Sequence, residues 1–342
     1  MRVSNLTPVL AAVAAAVAVA LPASAAADEV YAPESGVPEL FEVADGRFAY
    51  VVEGATQPPP EGFGSLEGPL VVEAVPRDGP EIQSLDLGTD ERGGAVALYE
   101  RCGTRSICDL YSYDFATKRE RRLAASRRAC DERAPRMRDG VLYFARFPLI
   151  ARNGARLCTG GLFQKALDKP LRRLTKRPYE DFDVAGGTLA FRRSRRLEKL
   201  DLEGVRDTRS VDEIRLMRVG RKQTRRVAFA RNRANPRMGD FAAGTFLVNV
   251  QFDSGFLYWT RATTRSGGPD DDDTFTSDLV RIHVRGAPER EQLQRSGRAY
   301  ENLPYDAFPE AFEVDGANVY YYFPNDSGRN AYGRVAPSPV FD

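Results

Sequence analysis

The sequence is most restrictive in what it has little of. Its 342 residues include one histidine, one tryptophan, four methionines and four cysteines, and only six of the 49 basic residues are lysine. A Ser-His-Asp hydrolase would have to use His283 as its base, and no serine motif accompanies it. No second histidine or cysteine stands at metal-ligand spacing from it either. Alternation through Asp278–Arg285 puts Val280, Ile282 and Val284 on one face and Arg281, His283 and Arg285 on the other, so His283 reads as a solvated strand residue. Helical periodicity is nearly absent, which leaves short strands broken by Gly, Asp, Asn and Pro clusters.

Long apolar runs are confined to the start of the chain. Arg2, the run Pro8–Leu21 and the small residues Ala23-Ser24-Ala25 and Ala25-Ala26-Ala27 read as a secretory signal peptide over residues 1–27. The run is short for a membrane span and is followed by small, then acidic, residues. The remaining ~315 residues, 28–342, are expected to form one exported domain with no membrane span.

What the chain does contain is a repeat. Phe41–Val51 is a short strand, a turn glycine at Gly46 and a second apolar strand. The unit returns at Gly94, Gly140, Gly187, Gly255 and Gly316. A tight hairpin needs positive φ at its turn, which Asp-Gly or Gly-Gly supplies cheaply. The strand after the glycine is apolar or aromatic, as in Val141–Phe144 and Val319–Phe323, the pattern of a strand buried between two sheets. Six copies of roughly 52 residues each are within reach of a propeller blade. The first four glycines are 46 to 48 residues apart and the next spacings are 68 and 61, so units four and five carry insertions.

The start of the third copy, Pro135–Phe144, resembles the repeat of TolB-like and WD40-like β-propellers. Only Asp45-Gly46, Asp139-Gly140 and Asp315-Gly316 keep the Asp-Gly pair that such repeats usually carry. The resemblance implies an all-β fold, a six-bladed β-propeller of four-stranded antiparallel blades, which binds proteins or small ligands at one face and hosts both enzymes and non-enzymes. With the glycine turns on the lower face, the long segments Gly54–Gly68, Phe147–Cys158, Arg261–Ser277 and Pro324–Asn330 fall on the upper face, the expected binding face.

Six to eight residues before the repeat glycine, where the inner strand enters the channel mouth, stand Glu39, Asp86, Glu132, Glu180 and Glu310. One reading is a carboxylate ring for a central cation or cationic ligand, similar to calcium-centred sugar-lactone propellers; the other is ordinary solvated loop acids. The run Asp270–Asp273 reads as solvated like charges rather than a calcium loop.

Charge is laid out in sectors: residues 28–91 carry net −13, residues 92–191 and 192–237 each net +10, and residues 270–342 net −7. The basic peak includes Arg218, Arg221, Lys222, Arg225 and Arg226, a candidate surface for an anionic cell-surface polymer. Aromatic residues are not interleaved there, so base stacking and nucleic acid are not expected. An even cysteine count in an exported chain favours disulfides, by local closure Cys102 with Cys108 and Cys130 with Cys158.

The sequence thus points to a secreted, non-catalytic propeller that binds an unknown protein or small ligand through its upper loops, with no cofactor. The alternatives are a calcium-dependent lyase or lactonase using the channel-mouth carboxylates, and a surface protein docked on anionic polymer.

Overall fold

The computed structural model describes residues 29–31, 41–52, 71–76, 80–103, 107–123, 130–151, 153–155, 157–166, 169–202, 205–234, 242–265, 273–284, 291–299, 312–315, 318–324 and 330–335. The expected signal peptide lies outside them.

The first strand, β1 (Glu29–Tyr31), pairs with the far end of the chain. β2 (Phe41–Ala44), β3 (Arg47–Val52) and β4 (Val71–Pro76) form a three-stranded sheet. β5 (Glu81–Thr89), β6 (Ala95–Cys102), β7 (Cys108–Asp114) and β8 (Arg119–Arg122) form a four-stranded meander. A second meander follows in β9 (Asp131–Arg138), β10 (Val141–Phe147), β11 (Gly161–Ala166) and β12 (Arg172–Arg173). β13 (Phe182–Ala185), β14 (Thr188–Leu202), β15 (Val205–Arg218) and β16 (Thr224–Ala234) continue directly into β17 (Ala242–Asp253), β18 (Phe256–Arg265), β19 (Asp273–His283) and β20 (Glu291–Ala299) as one eight-stranded sheet. β21 (Phe312–Asp315), β22 (Asn318–Pro324) and β23 (Asn330–Val335) complete the chain, and β1 joins them as the outer strand, Glu29–Tyr31 opposite Tyr332–Arg334.

These sheets build an all-β propeller whose complete separate blades are four-stranded and antiparallel. Two points correct the expectation. Hydrogen bonding gives five sheets among the described residues rather than six, because the long β16 and β17 pair at Asn232–Ala234 with Ala242–Gly244 and fuse two units. In the first sheet β4 runs parallel to β3, and its connection, residues 53–70, has the dozen or more residues that parallel pairing requires. The innermost strands touch in chain order, β2 on β5, β5 on β9, β9 on β13, β13 on β17 and β17 on β21, and β21 meets β2 again.

The repeat glycines do what their position demands. Asp139-Gly140 sits at φ 53° and 69°, and Gly186-Gly187 at 52° and 71°, the left-handed pair of a two-residue hairpin whose twist matches its strands. The second unit differs. Its turn runs from Asp90 to Gly94, the positive φ belongs to Gly93, and the Asp90 carboxylate accepts from the N–H groups of Arg92 and Gly94.

Apolar side chains fill the seams between sheets. Strand β6 is buried on both faces: Ala97 and Tyr99 pack with Ala49, Val75 and Leu85 of the sheets on one side, while Val96 and Leu98 pack with Met137, Leu142 and Phe144 on the other. Similar seams hold Leu162, Phe182, Leu189 and Met217, then Ile214, Leu247, Leu257 and Trp259. Each seam buries several large side chains at about 1.5–3 kcal/mol apiece. The insertions in unit four are spent on strand length, since β14 and β15 form a hairpin of 15 and 14 residues.

Candidate functional site

The inner strands present a polar residue at one ladder position. Counting back from the turn, the third cross-strand pair is Glu42 with Ala49, Arg136 with Tyr143, Asp183 with Ala190, Gln251 with Tyr258 and Glu313 with Tyr320. Their neighbours Val43, Met137, Val184 and Val314 face the apolar seams. Period-two alternation therefore turns this set toward the centre of the ring. Asp86, one pair further from its turn, joins them.

This ring stitches each inner strand to the next. The Asp86 carboxylate accepts from the Met137 N–H at 3.2 Å and from Arg138 at 3.0 and 3.1 Å. Arg138 also reaches Asp183 at 3.0 Å, and Arg136 lies 3.6 Å from Asp86. Asp183 and Asp181 each accept a backbone N–H of β17 at 2.7 Å, from Phe252 and Val250. Gln251 exchanges two bonds with the backbone of Val314, at 3.1 and 3.2 Å. The ring closes where Asp315 accepts from the Gly46 N–H at 2.8 Å.

Two carboxylates are left over. Glu42, 7 % exposed, and Glu313 form no hydrogen bond or ion pair among the described residues. Burial, then the Glu313 and Asp86 charges, push the Glu42 carboxyl well above the usual range. Burial pushes Glu313 up to about 8, against the opposing pull of Arg136. Asp181 and Asp183 are also raised, mainly by burial. Desolvation lowers Arg136, but Asp86, Glu42 and Asp183 outweigh it and hold its guanidinium firmly charged.

Glu42, Glu313, Asp181, Asp183, Gln251 and Arg136 line a cavity of about 330 Å³ that Glu180 and Asn249 also border. A wider cavity of about 1090 Å³ lies at the turn end, bordered by Asp45, Glu91, Asp139, Gly186, Gly255 and His283. Arg138 borders both. His283 packs edge-on against Phe256 with ring centroids 5.2 Å apart. The cluster of metal-ligating residue types among the described residues is Glu100, Cys102 and Cys108, and the two cysteines are already bonded to each other.

Of the expected channel-mouth acids, Asp86 is in the channel wall and fully buried, and Glu180 is exposed at the mouth, 3.5 Å from Arg133. Glu132 is a correction: it is buried away from the channel and ion-paired to Arg146 across the β9–β10 ladder at 2.5 Å, because its side chain lies on the seam side of β9. Glu39, Glu310 and Asp270–Asp272 lie outside the described residues. The signal for Glu42, Asp183 and Glu313 was a fixed distance from the turn, three residues before its first residue, and not a window ahead of the glycine.

Arg218, Arg221, Lys222, Arg225 and Arg226 are all exposed, at the β15–β16 turn and along the start of β16. Cys102 and Cys108 are joined, with Cα atoms 4.0 Å apart. The second expected bridge is not formed: Cys130 and Cys158 are free thiols. They are nonetheless neighbours in a thiol–thiol hydrogen bond, and Cys158 Sγ also contacts the Phe147 carbonyl at 3.4 Å. Burial and that contact push the Cys130 thiol up to about 12, so it stays protonated.

No family model matches the sequence, and no curated protein matches it. Among solved structures the chain is similar to the crystal structure of TolB from Acinetobacter baumannii. The identity is 12 %, the TM-score 0.39, and the match covers 75 % of this chain and 54 % of that one. The chain thus spans about half the length of that protein. At this score the fold rests on the sheets and their closure, and the likeness adds nothing about function.

Proposed function

We propose that the chain is an extracytoplasmic, six-bladed propeller that binds a cationic group of a protein or small-molecule ligand in the mouth of its central channel. The observation that carries this is the pair of a buried Glu42 and a half-buried Glu313, carboxyls without a partner among the described residues on the wall of a 330 Å³ cavity. Burying charge without compensation is costly, so such a pair is held protonated or complemented by a cation. An ammonium or guanidinium group entering there gains two charge-assisted hydrogen bonds. The cavity size suits the end of a side chain or a small amine.

Support for six blades comes from the six inner strands in contact order, the eight-stranded sheet counting as two units of four. Support for an extracytoplasmic setting comes from the Cys102–Cys108 disulfide and the apolar N-terminal segment. A channel held open by arginine between its carboxylates favours recognition over a metal-assisted lyase or lactonase, because Arg136 and Arg138 already occupy the approach to Asp86 and Asp183.

A thermal-shift series with arginine amide, spermidine and calcium tests the reading at pH 8. The organic cations are expected to raise the melting temperature of the parent chain and not of Glu42→Gln/Glu313→Gln. A rise with calcium alone would replace this reading with the metal-dependent one, and equal rises in both proteins would sink it.

A further inference from the structure

A second charged surface stands on the long hairpin of β14 and β15, away from the channel, and the strand register defines it. Residues directly opposite one another in antiparallel strands project to the same side. Arg193, Glu213 and Phe229 form one such row across β14, β15 and β16, and Arg195, Val211 and Arg231 form the next. Arg215 and Arg226 face each other in the preceding row. One sheet face thus gathers Arg193, Arg195, Arg215, Arg226 and Arg231 around a single carboxylate. The opposite face takes Asp212, Ile214 and Ala230 into the seam with β17, where Asp212 pairs with Arg192 and Ser194.

Like charges placed across a sheet repel, so this arrangement weakens the hairpin on its own. Glu213 relieves part of it, contacting Arg195 and Arg215 at 2.8 Å and Arg226 at 3.6 Å. That leaves the face with four uncompensated positive charges among the described residues. Arg193 makes no ion pair there, and the Nε groups of Arg193 and Arg195 are buried without an acceptor. A residue of another blade adds positive charge at the β15–β16 turn: Arg172 of β12 reaches it, its Nη2 standing 2.8 Å from where a side chain on Gly220 would begin.

Phe229 in the middle is 44 % exposed, and the guanidinium carbons of Arg226 and Arg231 lie 4.9 and 5.6 Å from its ring centre. The ring works as a platform that fixes the two guanidinium planes at an exposed site. With both guanidinium groups held against it, the ring has less free face to offer a nucleobase. Fixed guanidinium forks with spare donors match carboxylate or sulfate groups bidentately. The face is an open strip of several rows, so its complement is a chain of anions and not a single one.

We propose that this face, Arg193, Arg195, Arg226 and Arg231 about Phe229, binds an acidic polysaccharide. The site shares only Arg226 with the exposed turn cluster Arg218–Arg226, and it is independent of the channel. Binding of heparin, the sulfated glycan used as probe, is measured at two salt concentrations for the full chain, for Arg226→Gln/Arg231→Gln and for Arg221→Gln/Arg225→Gln. Circular dichroism and melting check each fold. The face variant is expected to bind about tenfold more weakly and with a shallower salt dependence, the turn variant much less so. Arg231→Gln alone, an exposed residue with no ion pair among the described residues, keeps the test open should the double variant fail to fold. Unchanged binding in a folded face variant overturns the proposal. A larger loss in the turn variant moves the site to the turn, and tighter binding of a DNA duplex than of heparin overturns the polysaccharide assignment.

Discussion

Raising the pH from 5 to 8.5 should destabilise the folded chain through Glu42 and Glu313. A carboxyl raised in the folded state supports folding fully below its unfolded value and withdraws that support as pH climbs through the folded value. For Glu313 the window runs from 4.5 to about 8, and Glu42 shifts in the same direction. That displacement corresponds to at most about 5 kcal/mol between the two protonation states. Because the two glutamates repel each other and that one repulsion is shared between their shifts, and Arg136 offsets some of it, the loss expected is about 2–3 kcal/mol. In a chain of this size that is several degrees of melting temperature. Urea unfolding at half-unit pH steps measures it, with Glu42→Gln/Glu313→Gln as the comparison. The double variant should lose stability less steeply over the window, the remainder coming from the raised Asp181 and Asp183, and should be more stable than the parent at pH 8.5. A parent whose stability is level or rises from pH 5 to 8.5, or a variant with the parent's slope, would refute the reasoning.

Arg138→Ala strands the buried Asp86 and Asp183 and should cost about 3–5 kcal/mol in urea unfolding, while the exposed Lys222→Ala should change nothing measurable. Gly140→Ala forces a side chain into φ +69° with its Cβ 3.1 Å from Glu91 Cα, and should cost about 1–2 kcal/mol by the same assay. Incubation with oxidised glutathione should convert the neighbouring Cys130 and Cys158 thiols into a second disulfide with release of two glutathione thiols. Non-reducing peptide mapping checks this, and a peptide joining Cys108 to Cys130 would contradict the placement of all four cysteines.

The repeat was legible because hairpin turns leave a local signature. Asp45-Gly46 and Asp139-Gly140 are two-residue turns with both φ positive, and the strand after each is apolar on both faces as a strand between two sheets must be. The fusion of two units was not legible, since it depends on the end of β16 pairing with the start of β17 over only three residues, and no two-residue turn signal marks that junction in the sequence. The parallel pairing of β4 was hidden for the same reason: nothing local distinguishes a returning strand from a crossing one. The channel was half legible. Asp86 stands in the channel wall, whereas Glu132 looked equivalent in sequence while its side chain lies across the strand, toward Arg146. A one-residue change of parity moves a carboxylate from channel to seam, so a window three residues wide cannot separate them. The basic hairpin was visible as composition, but the sharing of a face by Arg193 and Arg231, 38 positions apart, needed the register through β15.

The channel claim is tested most directly by counting protons. If a cation replaces a proton carried by Glu42 or Glu313, its binding near pH 7 must release one. Calorimetric titration of the full chain with arginine amide, in two buffers of different ionisation enthalpy, gives that number without any variant. Release of about one proton per ligand bound is expected, diminishing as the pH climbs through the Glu313 value of about 8. Binding with no proton release at pH 7, or with proton uptake, would contradict it.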